Sequence, residues 1–231
     1  MIKNTIINLG VIKKIALALN EINDEVIYVG GAVVSLYIND PAADDVRPTK
    51  DIDISLSIAT VGELERMREK LRKKGFSQSA EDNVICRFRY DDVKVDVMNT
   101  KAISWAPANP WFAPGFEKRQ SINVEGKNIQ ILPLAYFLAS KFTAYKDRGN
   151  NEPRTSHDFE DIVYILDNRI DIVEQIINSP DNVKPYIKSE FISIVEDNVK
   201  QEAILCNLYY ENRDIRFNKI IESLKQIISS I

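Results

Sequence analysis

Apolar residues recur along this chain with two different periods, and the changes between them mark its elements. Residues 11–20 carry apolar side chains at helical spacing, and "EVIYVGG" follows as a short buried strand in which Val26, Ile27 and Val29 run into Gly30 and Gly31. "AVVSLYI" resumes at once and predicts a helix. The polar, proline-bounded "NDPAADDVRP" reads as a loop that delivers the chain to a strand, "DIDISLS". Thr60 and Glu63 then form a T-x-x-E capping box, Leu64, Met67 and Leu71 share one helical face, and Gly75 stands where that helix must end.

The period returns to two in "VICRFRYDDVKVDVM", which predicts a hairpin turning at Asp91 and Asp92. A two-residue turn pairs Tyr90 with Val93, Phe88 with Val95 and Cys86 with Val97 on one face. On the other face it pairs Arg89 with Lys94 and Arg87 with Asp96, so Asp96 points away from the valines. The Pro- and Trp-containing stretch 101–120 reads as an irregular connection, a lid or a packed loop, and as the natural boundary. Beyond it "PLAYFLASKFTAYKDRG" is a helix with Pro133 near its start and Gly149 past its end. "SHDFEDIVYILDN" is another, with Ser156 as N-cap, and residues 184–231 add further helical patterns. The predicted fold is therefore α/β (α+β): a mixed sheet with helices over 1–120, then an all-helical half over 121–231.

Composition narrows the function classes. With 231 residues, a net charge of −4, 45% apolar and 28% charged residues, the chain is an ordinary globular protein rather than a basic nucleic-acid coat. Cys86 and Cys206 lie far apart and form neither a disulfide framework nor a metal spacing; a reducing cytoplasm is expected. Lysines interrupt the apolar N-terminus, which has no run long enough for a signal peptide or a membrane span, so no membrane partner is expected. His157 is the only histidine, so a zinc site would have to rest on carboxylates and distant cysteines, a role at the helix start is the expected one, and no triad can be built around it. The basic run "RMREKLRKK" reads as a solvated helix face.

Candidate chemistry concentrates in "RPTKDIDISLS". Alternation puts Asp51 and Asp53 on one strand face while Ile52 and Ile54 turn to the core. Two carboxylates about 7 Å apart repel by roughly 2 kcal/mol at an effective dielectric near 20, and nothing local offsets that. A cation is the natural answer. With Asp96 on a later strand, these carboxylates suit two Mg²⁺ ions clamping the attacking and leaving oxygens of a phosphoryl displacement. Gly30 and Gly31, between a strand and a predicted helix, would offer backbone N–H groups to phosphate.

"VGGAVVSLY", "TKDIDISL" and "VKVDVM" occur in the order of the DNA polymerase β-like nucleotidyltransferase superfamily, which the chain resembles over roughly residues 24–100. Within it the sequence is most similar to the AbiEii-type group of abortive-infection and toxin–antitoxin systems. That group adds a lysine on a C-terminal helix and an acidic helix after it; Lys141 in "LASKFTAYKDRG" and Asp158 and Asp161 in "HDFEDIVYIL" match them. The resemblance implies an enzyme that moves a nucleoside monophosphate from a nucleoside triphosphate to a hydroxyl, on a nucleic acid such as tRNA or on a protein. It further implies Asp51, Asp53 and Asp96 as catalytic metal ligands, Gly30, Gly31 and Ser35 around the triphosphate, and Lys141, with Asp158 and Asp161, as nucleotide-binding. An antitoxin protein is an expected partner. The chain departs from the pattern at Ala32, where family members commonly carry serine or threonine. A nucleotide-binding regulator with a degenerate site is therefore the first alternative, and an interaction module without catalysis the second.

Overall fold

The computed structural model of the protein describes residues 3–49, 51–148 and 152–231. They form two compact units, one of residues 1–35 with 44–133 and one of residues 36–43 with 134–231.

The first unit is built on a mixed sheet. Its strands are β1 (Val26–Val29), β2 (Asp51–Leu56), β3 (Arg87–Tyr90), β4 (Val93–Asn99), β5 (Gln120–Val124) and β6 (Lys127–Ile131). Their spatial order is β3-β4-β2-β1-β6-β5, a six-stranded sheet. β2 runs antiparallel to β1 but parallel to β4, and β1 parallel to β6. Ile52, Ile54, Val95 and Val97 are buried on a shared face, so a one-residue slip of β2 or β4 would expose them and bury acids instead. The β3–β4 hairpin has the expected pairing, Arg87 opposite Asp96 and Phe88 opposite Val95.

Two local expectations change. The first helix, α1 (Lys3–Leu19), begins well before residue 11 because its N-terminus is capped from a distance. The Asn4 and Thr5 backbone N–H groups donate to the Asp45 carboxylate, at 2.6 and 2.9 Å. The helix expected over "AVVSLYI" is a 3₁₀ helix over Gly31–Tyr37. Ala32, Val33 and Val34 are all buried, which leaves no polar side for an amphipathic α-helix, and the two β-branched residues lower helix propensity further. Stretch 101–120 takes the packed form of its two expected readings, with a short helix near its end: Trp105 is buried against Phe88, its indole N–H donates to Glu65, and the Arg68 guanidinium lies 4.8 Å from its ring.

α2 (Val61–Lys73) starts at Thr60, whose hydroxyl accepts from the Glu63 N–H while the Glu63 carboxylate accepts from the Thr60 N–H. After the short α3 (Phe112–Glu117) comes the β5–β6 hairpin, which the sequence reading placed beyond the boundary at 120. Its turn residues Glu125 and Gly126 both have positive φ, 47° and 88°, as a tight two-residue hairpin requires. These strands belong to the sheet, and the units part after Pro133.

The second unit is helical: α4 (Leu134–Arg148), α5 (His157–Asn168), α6 (Ile172–Ile177), α7 (Lys184–Glu196), α8 (Asn198–Asn207) and α9 (Arg213–Ser230). Residues 134–142 of α4 are buried all round, the mark of a central helix. Ser156 caps α5 by accepting from the Phe159 N–H. Gly149, expected past the end of α4, lies outside the described residues. Among the described residues no helix is long and apolar enough to cross a membrane.

The capping box makes one prediction about the scaffold. Thr60→Ala removes the hydroxyl that accepts from Glu63, and should lower unfolding free energy by about 1 kcal/mol in urea denaturation.

Candidate active site

The strand register brings the predicted acids together. Asp53 of β2 lies directly opposite Asp96 of β4, and Asp51 opposite Lys94, all on the face away from Ile52 and Ile54. Arg87 on the edge strand β3 faces Asp96 from the other side. Its guanidinium binds Asp96 with two parallel bonds, Nε to Oδ1 and Nη2 to Oδ2, each 2.7 Å. The same Nη2 also donates to Asp51 Oδ2 at 3.1 Å. One nitrogen thus spans carboxylates from two strands, a charge-assisted arrangement stronger than neutral hydrogen bonding. The bonds to Asp96 raise the Arg87 pKa above its ordinary value, so this cation is permanent. Asp51 Oδ1, by contrast, is buried with no hydrogen-bond partner.

The glycine turn presses on the same carboxylates. Gly30 has φ +74°, and a Cβ built on it would stand 1.8 Å from Asp53 Oδ2. Only a residue without a side chain lets the backbone lie this close to Asp53. A Cβ on Gly31 would meet the Arg47 Nη2 at 2.4 Å. Sequence reading missed Arg47, although it continues the two-residue alternation upstream through Thr49 to Asp51 and Asp53; Pro48 between them argues against a strand. Ser35 lies in the 3₁₀ helix with its hydroxyl oxygen buried and without a hydrogen-bond partner. Ala32 is a core residue.

Just before Arg87, Cys86 is buried, and burial, helped by the negative Asp96, pushes its thiol up to about 11. It is inert at neutral pH. Cys206 is exposed.

In the helical unit Lys141, Asp158 and Asp161 meet as expected. The Lys141 ammonium, 4% exposed, donates to Asp161 Oδ2 at 2.6 Å and to Asp158 Oδ1 at 3.0 Å. Burial acts against the charge, but the two carboxylates outweigh it and hold the Lys141 pKa above the ordinary lysine value. The Arg148 guanidinium binds Asp158 from the exposed side. Asp158 and Asp161 lie three residues apart on α5, so one helix turn presents both.

The donor set of Asp51, Asp53 and Asp96 is entirely carboxylate oxygen, which fits a hard divalent cation in kind. As arranged, the Arg87 guanidinium takes up the space between Asp51 and Asp96, and among the described residues no three acidic, histidine or cysteine side chains converge as a metal site. The unpaired Asp51 Oδ1 is a donor still lacking a partner.

A family model described as "Nucleotidyl transferase AbiEii toxin, Type IV TA system" matches residues 16–189. An antigenic nucleotidyltransferase-like protein from Paracoccidioides brasiliensis aligns at 20% identity over 96% of this chain and 93% of that one, with a TM-score of 0.50. The antibiotic-resistance factor ANT(2'')-Ia aligns at 12% identity over 80% of this chain and 94% of that one, with a TM-score of 0.48. No curated protein sequence matches the chain.

Two glycines and two cysteines test this geometry. Gly30→Ala should cost more than about 2 kcal/mol in urea denaturation, from the left-handed backbone together with the overlap on Asp53. Gly10→Ala, in α1 with nothing within 4 Å of the added methyl, should instead gain about 0.5–1 kcal/mol. In a thiol titration near pH 8 only Cys206 should react with the native protein, and Cys86 only after denaturation.

Proposed function

The chain belongs to the AbiEii nucleotidyltransferase toxin family of type IV toxin–antitoxin systems and is a nucleotidyltransferase; from that premise we propose that it transfers a nucleoside monophosphate to a hydroxyl at Asp51, Asp53 and Asp96, with Mg²⁺. The observation that carries the proposal is the β2–β4 register, which sets Asp53 beside Asp96 with Asp51 on the same face. Two Mg²⁺ ions held by these carboxylates would supply Lewis-acid polarisation of the phosphoryl oxygens and stabilise the charge on the leaving group.

The chain's own groups supply the rest. Asp96 accepts the proton as the acceptor oxygen bonds to the α-phosphorus, and the bond from that phosphorus to the bridging oxygen breaks to release pyrophosphate. Gly30 and Gly31 offer backbone N–H groups to the triphosphate, where a turn of positive φ makes an anion-binding concavity. Ser35 is the weakest of the proposed contacts, because its hydroxyl must first leave a buried position. Lys141 supplies positive charge for the triphosphate, with Asp158 and Asp161 holding the ammonium until nucleotide arrives. The acceptor is an RNA such as tRNA, or a protein, and an antitoxin protein restrains the activity in the cytoplasm.

Incubation with each labelled nucleoside triphosphate, Mg²⁺ and total cellular RNA or protein identifies both the nucleotide and the acceptor by where the label goes. The double variant Asp51→Asn with Asp53→Asn should abolish transfer while leaving the far-ultraviolet circular dichroism of the native protein. Retained transfer would remove the carboxylates from the mechanism.

The Lys141 role has a separate test. Lys141→Ala removes the ammonium from the buried Asp161, while Asp158 keeps Arg148, at a cost of about 3–5 kcal/mol. Adding Asp161→Asn should shrink that cost but leave the weakened triphosphate binding, read by nucleotide titration. A purely structural lysine would regain nucleotide affinity together with stability.

A further inference from the structure

Arg87 lies where a metal ligated by Asp51 and Asp96 would also have to lie. Its Nη2 sits 2.7 Å from Asp96 Oδ2 and 3.1 Å from Asp51 Oδ2, and so touches carboxylates from both β2 and β4. A guanidinium and a divalent ion cannot share that place. The pairing also answers the repulsion among Asp51, Asp53 and Asp96 that arises when no metal is bound, since removing one partner of such a charge pair leaves the other uncompensated.

β3 is the last strand of the sheet; its outer edge is met by chain rather than by a further named strand, Ser77 pairing with Arg89 and the Val84 carbonyl accepting from the Arg87 N–H. The Arg87 side chain is nonetheless 15% exposed, whereas the ammonium of Lys141 is enclosed. A long, amphipathic side chain that already reaches solvent turns outward by rotating χ angles, with no cavity to open in the core.

We propose that Arg87 is a positioning residue that stands in for the divalent cation in the metal-free protein, holding Asp51 and Asp96 side by side, and that metal binding displaces it from both carboxylates. The inference rests on the reading of Asp51, Asp53 and Asp96 as metal ligands. Displacement has a consequence for chemistry: the two Asp96 oxygens now engaged by Arg87 become available, one to the metal and one to the acceptor proton. Arg87 thereby keeps the carboxylates together yet closed to protons until metal arrives.

The experiment is Mn²⁺ binding in the absence of nucleotide, followed by the electron paramagnetic resonance of free Mn²⁺, for the parent, Arg87→Gln, Arg87→Lys and the Asp51→Asn with Asp53→Asn variant. Arg87→Gln removes the competing cation and should bind Mn²⁺ about tenfold more tightly than the parent, equivalent to about 1.4 kcal/mol. Arg87→Lys keeps the charge but loses the bidentate fork, and should fall between them. A guanidinium that stays in place to orient Asp96 predicts the opposite sign, so equal or weaker binding in Arg87→Gln overturns the proposal. The unaltered protein gives an independent readout: the Arg87 Nε–H resonance, hydrogen-bonded to Asp96, should move to the position of a solvent-exposed arginine on saturation with diamagnetic Mg²⁺. A resonance that stays put also overturns it. If the parent and Arg87→Gln bind no more Mn²⁺ than the double Asp→Asn variant, the metal reading itself fails, and the placeholder role with it. Equal, carboxylate-dependent binding in both overturns the placeholder role alone.

Discussion

The first unit is organised around a like-charge problem. Three carboxylates on two neighbouring strands share one sheet face, and at an effective dielectric near 20 two such charges about 4–7 Å apart repel by about 2–4 kcal/mol. A protein stable by only 5–15 kcal/mol cannot leave such a cluster unanswered. Here the answer is a guanidinium from the next strand, which binds one carboxylate through both oxygens and a second through one. Without that contact the face would spread, and the register that makes it a site would lose part of its support.

The opposite face enforces the same register by a different force. Ile52, Ile54, Val95 and Val97 are almost wholly buried, and each such side chain contributes about 1.5–3 kcal/mol when removed from water. Because side chains alternate, burying these four obliges Asp51, Asp53 and Asp96 to share the other face. Hydrophobic burial thus assembles the carboxylates, and ion pairing tolerates the result. The glycine turn adds a steric limit: the backbone at Gly30 lies so close to Asp53 that this carboxylate is confined from β1's side as Asp96 is from β3's.

How much of this was legible in the sequence follows from which interactions are local. The D-x-D alternation, the Thr60 capping box and the pairing of Arg87 with Asp96 across a two-residue turn depend on residues a few positions apart, and each is found as the pattern required. The reach of Arg87 to Asp51 depends on β2 and β4 lying side by side in parallel, which no local pattern encodes. The early start of α1 depends on Asp45, 41 residues from Asn4. Glu125-Gly126 was a usable turn signal for the β5–β6 hairpin, but the weak apolar alternation of exposed edge residues hid the strands around it. The orphaned oxygens of Asp51 and Ser35 arise from packing alone.

The two cation–carboxylate clusters are built to different standards, and the difference bears on what each can do. Lys141 and Asp161 are nearly sealed, at 5% and 2% side-chain exposure, so separating them transfers both charges through a medium where desolvation costs several kcal/mol per ion. Arg87, Asp96 and Asp51 stand at 15%, 16% and 34%, with water at hand to solvate whichever group is released. A partly hydrated cluster exchanges its cation at the cost of a modest net interaction, because incoming water and metal replace what the guanidinium gave up. A sealed cluster yields its cation only to a ligand that brings comparable negative charge to the same spot. Partial hydration of its cluster, rather than the strength of its three hydrogen bonds, is therefore what makes Arg87 replaceable, and enclosure is what holds Lys141 to its carboxylates.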